Sequence, residues 1–270
     1  MPKSIKNAVH KGYIDGRFGQ IHYRFSRNRY KCTPLLLLHA SPLSSLVFEN
    51  LILELGQDRF VIAPDTPGFG ESAPPCSPPE IEDYARAIGD VLDALELKKV
   101  DIVGYHTGSL TAGEFALQQP ERVGKIVMIS SIPFTAKELS NFKDEYSVKL
   151  LSEMIAAIPE RWAWSTDFWS DQPDENRRFE YFLESMRHPE ISSWGHRAAF
   201  NYDCTGALKK IPHRILVLNP QDDLWEYTPR AAALMKNGRV LDLPNWNHGF
   251  LDTRTKDVAK ILREFLDVTG

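Results

Sequence analysis

A histidine stands between two glycines at the end of an apolar run, in a position from which its imidazole could do chemistry. Residues 100–108 read Val-Asp-Ile-Val-Gly-Tyr-His-Thr-Gly, so the run ends in Gly104-x-His106-x-Gly108. Flanking glycines permit a tight, strained turn that projects its central side chain. A neutral imidazole has a lone pair, and it can attack an activated acyl carbon or accept a proton. His106 is therefore the first candidate for catalysis.

Strand-like and helix-like segments alternate on both sides of this motif, and they predict the elements that must position it. Short apolar runs of buried-strand length alternate with segments whose apolar residues recur at helical spacing, which is typical of a mostly parallel sheet covered on both faces. The predicted strands occupy 34–39, 59–64, 100–103, 125–129, 214–218 and 239–243. The predicted helices occupy 46–55, 80–97, 109–118, 229–235 and 253–268.

Residues 135–205 have a different character from the rest of the chain. They contain no strand-like run, they are rich in helical spacing, and they hold Trp162, Trp164, Trp169 and Trp194. This pattern predicts a helical cap inserted into a core formed by residues 1–134 and 206–270. The tryptophans either build the interior of the cap or line an apolar pocket over the turn at His106, which would favour a small hydrophobic or aromatic ligand.

Several motifs in a fixed order resemble the α/β-hydrolase superfamily over nearly the whole chain. The G-x-Ser-x-G nucleophile elbow of that superfamily matches residues 104–108, except that histidine replaces serine. His39-Ala40-Ser41-Pro42 is similar to its His-Gly oxyanion loop, with Ala40 in place of glycine, and Asp65-x-x-Gly68-Phe69-Gly70-x-Ser72 matches a loop after the next strand. The resemblance implies an α/β fold with a mostly parallel central sheet, helices on both faces and an inserted helical cap.

The resemblance also implies an acid and a second histidine in the site. Asn219-Pro220-Gln221-Asp222-Asp223 follows a strand, where the superfamily places its acid. The spacing favours Asp223, but the choice between the adjacent Asp222 and Asp223 stays open. His248 follows the last strand, where the superfamily places its catalytic histidine, and a carboxylate on one ring nitrogen would leave the other free as a base.

An oxyanion hole and a substrate-binding surface are implied in the same way. The backbone amides of Ser41 and Thr107 correspond to the two groups that stabilise a developing oxyanion in the superfamily. His39 lies in the same loop, and Tyr105 is the bulky residue that precedes the nucleophile position and is expected to pack. Trp164 is the tryptophan that we assign to the substrate pocket.

The role of His106 remains open among three interpretations. It could be a nucleophile that forms a readily hydrolysed acyl-imidazole. Alternatively, His106 and His248 could hydrogen-bond to each other and act as general acid and base on water or on a substrate C–H. The third interpretation is a lost active site on a scaffold that only binds a ligand. Ser109, on the first turn of the following helix, should point away from the pocket and is not expected to replace the nucleophile.

Composition and residue spacing narrow the remaining classes of function. The chain has 36 acidic and 32 basic side chains, a net charge of −4, and no basic run that could follow a phosphate backbone. No stretch approaches the roughly 20 apolar residues of a membrane span. The histidines and the three cysteines lack the spacing of a metal site, and no dinucleotide fingerprint occurs. We therefore expect a cytoplasmic protein without cofactor, metal, nucleic acid or membrane, and the sequence leaves open a homodimer.

The function that this sequence favours is cofactor-independent hydrolysis of a small apolar carbonyl compound, either an ester, a thioester or a lactone. His106, His248 and Asp223 would form the catalytic constellation, with a backbone oxyanion hole. Lyase, isomerase or oxygenase chemistry begun by general acid/base catalysis is the alternative enzymatic interpretation. A catalytically inactive ligand-binding protein is the non-enzymatic one, because fold alone does not determine reaction type.

Overall fold

A computed structural model describes residues 8–27, 30–135, 137–140, 151–169, 171 and 173–268, without the side chains of residues 166 and 167. Its centre is an eight-stranded sheet in the order β1-β2-β4-β3-β5-β6-β7-β8. The strands from β3 to β8 run parallel, whereas β1 and β2 pair antiparallel with each other and β2 pairs antiparallel with β4. The strands are β1 (His10–Gly16), β2 (Gly19–Phe25), β3 (Leu35–Leu38), β4 (Val61–Pro64), β5 (Val100–Tyr105), β6 (Val123–Ile129), β7 (Ile215–Pro220) and β8 (Gly238–Leu243).

Helices cover both faces of this sheet, as the alternating sequence pattern predicts. Side chains of a strand alternate between faces, so Leu35 and Leu37 of β3 join one hydrophobic core while Leu36 and Leu38 join the other. The helices are α1 (Glu49–Leu55), α2 (Ile81–Ala94), α3 (Thr107–Gln118), α4 (Leu151–Ala156), α5 (Ile158–Phe168), α6 (Glu175–Met186), α7 (Trp194–Asn201), α8 (Cys204–Lys210), α9 (Phe250–Thr253) and α10 (Thr255–Leu266).

The two cores use different helices. Apolar side chains of α2 and α3 fill the core on one face, and those of α1 and α10 fill the core on the other. The apolar stripe of α10 includes Val258, Leu262 and Phe265, which recur at helical spacing and are buried. The predicted fold class, an α/β-hydrolase fold with a mostly parallel sheet, is confirmed.

The structure differs from the sequence prediction at the N-terminal hairpin, at 229–235 and in the closing helix, among other places. The sequence does not predict the hairpin of β1 and β2, because the residues of β1 are alternately half-buried and exposed and form no continuous apolar run. The segment predicted as a helix over 229–235 is a 3₁₀ helix at Thr228–Ala233. The predicted closing helix is divided at Arg254, whose non-helical backbone, with φ −122° and ψ 27°, separates α9 from α10.

Helices α4 to α7 lie in the segment that the sequence assigns to the cap. Residues 136, 141–150, 170 and 172 of that segment lie outside the described residues. We propose that 135–205 acts as the cap over a core of 1–134 and 206–270. Among the described helices, none combines the length and the apolar character needed to cross a membrane.

Candidate functional site

His106 occupies a sharp turn between β5 and α3. Its backbone has φ 49° and ψ −111°, in the left-handed half of the map that non-glycine residues rarely adopt. A Cβ on Gly104 would lie 2.3 Å from the carbonyl oxygen of Gly108, and a Cβ on Gly108 would lie 2.1 Å from that of Leu38. The two glycines are therefore required by close backbone contacts, and the turn projects the imidazole from the carboxyl end of the sheet.

Substitution of Gly108 by alanine should lower the free energy of unfolding by about 3 kcal/mol, because the new methyl group meets backbone that cannot move aside. Gly113→Ala, one and a half turns further along α3, is the matched control. Its Cβ would lie 3.2 Å from Ile211 Cδ1 and 3.4 Å from Met128 Cε, both at flexible ends of side chains. We expect that control to change stability by less than about 1 kcal/mol in urea denaturation. Equal stability of the two variants would contradict the packing described for the turn.

The imidazole of His106 is paired with Asp222. His106 Nε2 donates to Asp222 Oδ2 over 2.9 Å, and the histidine side chain is 19% exposed. Burial lowers the pKa of His106, but the charge of Asp222 and its hydrogen bond outweigh burial, so the pKa lies above its ordinary value. Among the residues that the structure describes, none hydrogen-bonds to Nδ1 of His106, which leaves this nitrogen for a ligand.

Asp222 is held at three points. Besides His106, its Oδ2 accepts a hydrogen bond from Ser130 Oγ at 2.6 Å, and its Oδ1 accepts one from the backbone amide of Leu224 at 2.8 Å. The Asp222 side chain is 1% exposed, and Ser130 at the end of β6 is fully buried. Such support fixes both the position of the carboxylate and the tautomer of the imidazole it contacts. The sequence does not predict this role of Ser130, because a lone serine after a strand carries no motif.

His248 is engaged through both ring nitrogens. Nε2 donates to Asp223 Oδ1 over 2.8 Å, and Nδ1 lies 3.0 Å from Tyr105 Oη. Burial, and then the charges of Asp222 and Asp223, raise the pKa of Tyr105 well above its ordinary value, so Tyr105 keeps its proton and donates it to Nδ1. The ring of Phe168 stacks on His248 with centroids 3.8 Å apart. Both ring nitrogens of His248 are therefore occupied, and neither is left to serve as a base.

The two imidazoles do not bind each other. Their centroids are 5.7 Å apart at an interplanar angle of 63°, and each ring is hydrogen-bonded to its own aspartate. The alternative interpretation in which His106 and His248 hydrogen-bond to each other is therefore wrong. The physical reason is that two neighbouring carboxylates are available, and each binds one ring. The structure brings the predicted pair of Asp223 and His248 together, and it gives Asp222 to His106.

The predicted oxyanion loop reaches the turn, but its amide is occupied. The backbone N–H of Ser41 donates to Thr107 Oγ1 at 2.7 Å. The His39 ring is buried and bound to backbone on both sides: Nε2 accepts from the amide of Thr66 at 2.8 Å, and Nδ1 contacts the carbonyl oxygen of Ala40 at 2.9 Å. Burial lowers the pKa of His39. His39 therefore shapes the loop and has no ring nitrogen free for a substrate.

Helices α5 and α7 contribute aromatic rings and one histidine to this region. Trp164 is 60% exposed and stacks on Phe168, which in turn stacks on His248. No motif in the sequence points to Phe168. Burial lowers the pKa of His196 to about 4, and the charges of His106 and Asp223 also act on this ring. His196, which has no motif in the sequence, is therefore a neutral imidazole on α7 that senses the charges of His106 and Asp223.

The hydroxyl of Ser109 points away from the site. Ser109 Oγ donates to the carbonyl oxygens of Gly104 and Ile129, at 2.9 and 3.2 Å, so its hydroxyl points into the protein as predicted.

His106, Asp222 and Asp223 each offer one atom to a cation, and these atoms lie within 4.8 Å of one another. Because each carboxylate already accepts an imidazole N–H, a cation there would have to replace those protons.

The sequence of the chain is similar to those of known enzymes and matches a family model. A model of the family described as alpha/beta hydrolase fold matches residues 33–190. The chain is 26% identical over 254 residues to a non-heme chloroperoxidase of Streptomyces lividans, covering 86% of this chain and 91% of the relative. It is 24% identical over 251 residues to a bifunctional esterase/perhydrolase of Acinetobacter calcoaceticus, covering 84% and 89%.

The fold of the chain is similar to that of a solved hydrolase structure. A meta-cleavage product hydrolase from Pseudomonas fluorescens superimposes with a TM-score of 0.75 and 20% identity, covering 95% of this chain and 97% of that one. The sequence-based prediction of an enzyme is confirmed at the level of the family. On the family match and the observed fold, the chain belongs to the alpha/beta hydrolase fold family.

Proposed function

We propose that this protein is a cofactor-independent hydrolase of a small, mostly apolar carbonyl compound, either an ester, a thioester or a lactone. The observation that carries the proposal is the free Nδ1 of His106 at the turn, with Nε2 held by Asp222 at 2.9 Å. An imidazole with one nitrogen on a buried carboxylate and the other exposed to substrate has the arrangement of a catalytic base. The esterase and hydrolase relatives support the reaction class.

The proposed mechanism places His106 in the role of general base. Nδ1 removes a proton from a water molecule as the water oxygen bonds to the carbonyl carbon, and the carbonyl electron pair moves to oxygen. Asp222 stabilises the imidazolium that forms, as a buried carboxylate does beside a catalytic histidine. The tetrahedral intermediate then expels the alcohol or thiol, which takes the proton back from Nδ1. Water and ester are consumed, and acid and alcohol or thiol are released.

His248 and Asp223 have a supporting role in this scheme. With Nε2 on Asp223 and Nδ1 on Tyr105, the ring of His248 forms a fixed wall beside His106. Its other face is covered by Phe168, and Trp169 lies edge-on with its centroid 6.2 Å from that of His248. The predicted constellation of His106, His248 and Asp223 is thus retained in the proposal, with Asp222 added as the partner of the base. The surrounding rings support an apolar substrate.

Release of 4-nitrophenol from the acetate, butyrate and octanoate esters tests the proposal. We expect many turnovers per enzyme molecule. Because water attacks the ester directly and no covalent intermediate forms, no acyl adduct should be visible by intact mass. His213→Ala is the control for histidines outside the site, since His213 Nε2 contacts the carbonyl oxygen of Pro120 at the surface, and it should leave the rates unchanged. Rates no higher than those of heat-denatured enzyme, for these esters and for short lactones, would contradict the proposed hydrolase.

A further inference from the structure

The hydroxyl of Thr107 lies where the oxyanion hole of this fold should be open. The Ser41 amide and the Thr107 amide are the two groups that the superfamily pattern assigns to the developing oxyanion. In this chain the first of them already donates to Thr107 Oγ1 over 2.7 Å. A substrate oxygen must therefore either displace this hydroxyl or bind to it.

The hydroxyl has a proton to offer. A threonine hydroxyl carries one donor and two acceptor positions, and the Ser41 amide uses one acceptor position. Among the described residues, none receives a hydrogen bond from Thr107 Oγ1. The neighbouring hydroxyl of Thr111 donates to the backbone carbonyl of Thr107 at 3.2 Å and leaves Oγ1 unaffected.

The surroundings hold the two partners together. A Cβ on Gly195 of α7 would lie 1.9 Å from Ser41 Oγ and 3.2 Å from the ring of Phe69, so the cap helix packs directly on Ser41. Thr107 begins α3, and a β-branched side chain in a helix has few χ1 positions available. A substrate oxygen that displaced the hydroxyl would require movement at one of these packed positions. A substrate oxygen that accepted a hydrogen bond from the hydroxyl would require none.

We propose that the side-chain hydroxyl of Thr107 is an oxyanion donor of this site, acting on the same hydrolytic reaction that we propose above. The Ser41 amide polarises Oγ1, and the O–H of Thr107 then donates to the substrate carbonyl oxygen as that oxygen becomes negative. The amide of Ser41 thus acts through the hydroxyl. Thr107 is a catalytic residue through its side chain, in addition to the backbone role that the sequence predicts.

Three variants separate the hydroxyl from the shape of the residue. Thr107→Val keeps the branched shape and removes the hydroxyl, and we expect kcat for 4-nitrophenyl butyrate to fall about 10²-fold with little change in KM. Thr107→Ser keeps the hydroxyl and should retain kcat within a few-fold. Thr111→Val, one turn later on the same helix face, is the control and should behave as wild type. An unchanged or higher kcat in Thr107→Val would overturn the proposal, since the hydroxyl would then merely block the Ser41 amide.

Binding of a stable anion tests the hydroxyl independently of turnover. 4-Nitrophenyl methylphosphonate has the tetrahedral, negatively charged shape of the intermediate, and calorimetry measures its affinity without catalysis. We expect Thr107→Ser to bind it as wild type does and Thr107→Val to bind it about 10-fold more weakly. If no ester is hydrolysed but this difference appears, the hydrolase proposal fails and the anion site stands. Equal affinities in the two variants, or no binding by either, would overturn the assignment of Thr107.

Discussion

Replacing Asp222 by asparagine is expected to lower kcat/KM for 4-nitrophenyl esters by about 10³-fold, because the catalytic base loses the charge that orients and stabilises it. Asp222 Oδ2 accepts the Nε2 proton of His106 at 2.9 Å. An amide at this position can present its NH₂ to Nε2 instead, which would move the ring proton to Nδ1. The nitrogen that should attack the proton of water would then be protonated.

Asp223→Asn is the matched control for this substitution. The two residues are adjacent in sequence, but Asp223 contacts His248 and its side chain is 57% exposed, whereas the side chain of Asp222 is 1% exposed. We expect Asp223→Asn to reduce kcat/KM less than about 10-fold, since an exposed partner of a supporting histidine contributes less than the buried partner of the base. The reverse order of effects would make His248 the base and would restore the roles that the sequence favours.

The pH dependence of the wild type follows from the same pair. A general base is active when it is deprotonated, and Asp222 holds the pKa of His106 above its ordinary 6.5 despite burial. The ascending limb of kcat/KM should therefore lie above pH 6.5 in the wild type. In Asp222→Asn the charge is lost while burial remains, so the limb of the residual activity should move to lower pH. A limb that does not move on this substitution would contradict the assignment of His106 as base.

Much of the fold could be predicted because parallel strands that are buried on both faces are easily recognised in a sequence. Strands β3 and β4 are buried on both faces and appear as continuous apolar runs, for example Leu35–Leu38. Strand β1 is alternately half-buried and exposed, and its polar residues do not form such a run. The hairpin of β1 and β2 was missed for this reason. The hairpin nevertheless belongs to the sheet, because β2 pairs with β4.

The site could be predicted as a region but not as a set of bonds. His106, the two aspartates and His248 follow β5, β7 and β8, and the carboxyl ends of parallel strands meet at one edge of the sheet. Which aspartate binds which histidine depends on Ser130, on the Leu224 amide and on the ring of Tyr105. These contacts come from packing between distant segments, so no spacing in the sequence reports them. The hydrogen bond from Ser41 to Thr107 Oγ1 is of the same kind.

Restoring the serine of the superfamily at the turn should abolish activity instead of improving it. We expect His106→Ser to lower kcat/KM by about 10³- to 10⁴-fold, to the level of His106→Ala, because the variant loses its base and gains a hydroxyl that nothing activates. A serine at 106 needs an imidazole lone pair within reach. His248 has none to offer, since Nε2 donates to Asp223 and Nδ1 accepts from Tyr105.

Covalent labelling distinguishes an inert serine from an activated one. A fluorophosphonate should not modify residue 106 of His106→Ser, as judged by intact mass and peptide mapping, because an unactivated hydroxyl reacts poorly with it. His106→Ala is the control for labelling elsewhere. Stoichiometric labelling at 106, with ester turnover above that of His106→Ala, would mean that His248 leaves Tyr105 and turns toward the new hydroxyl. In that case the hydrogen bonds of His248 are not fixed, and the chain departs from the serine pattern of the superfamily by one side chain instead of by the arrangement of both histidines.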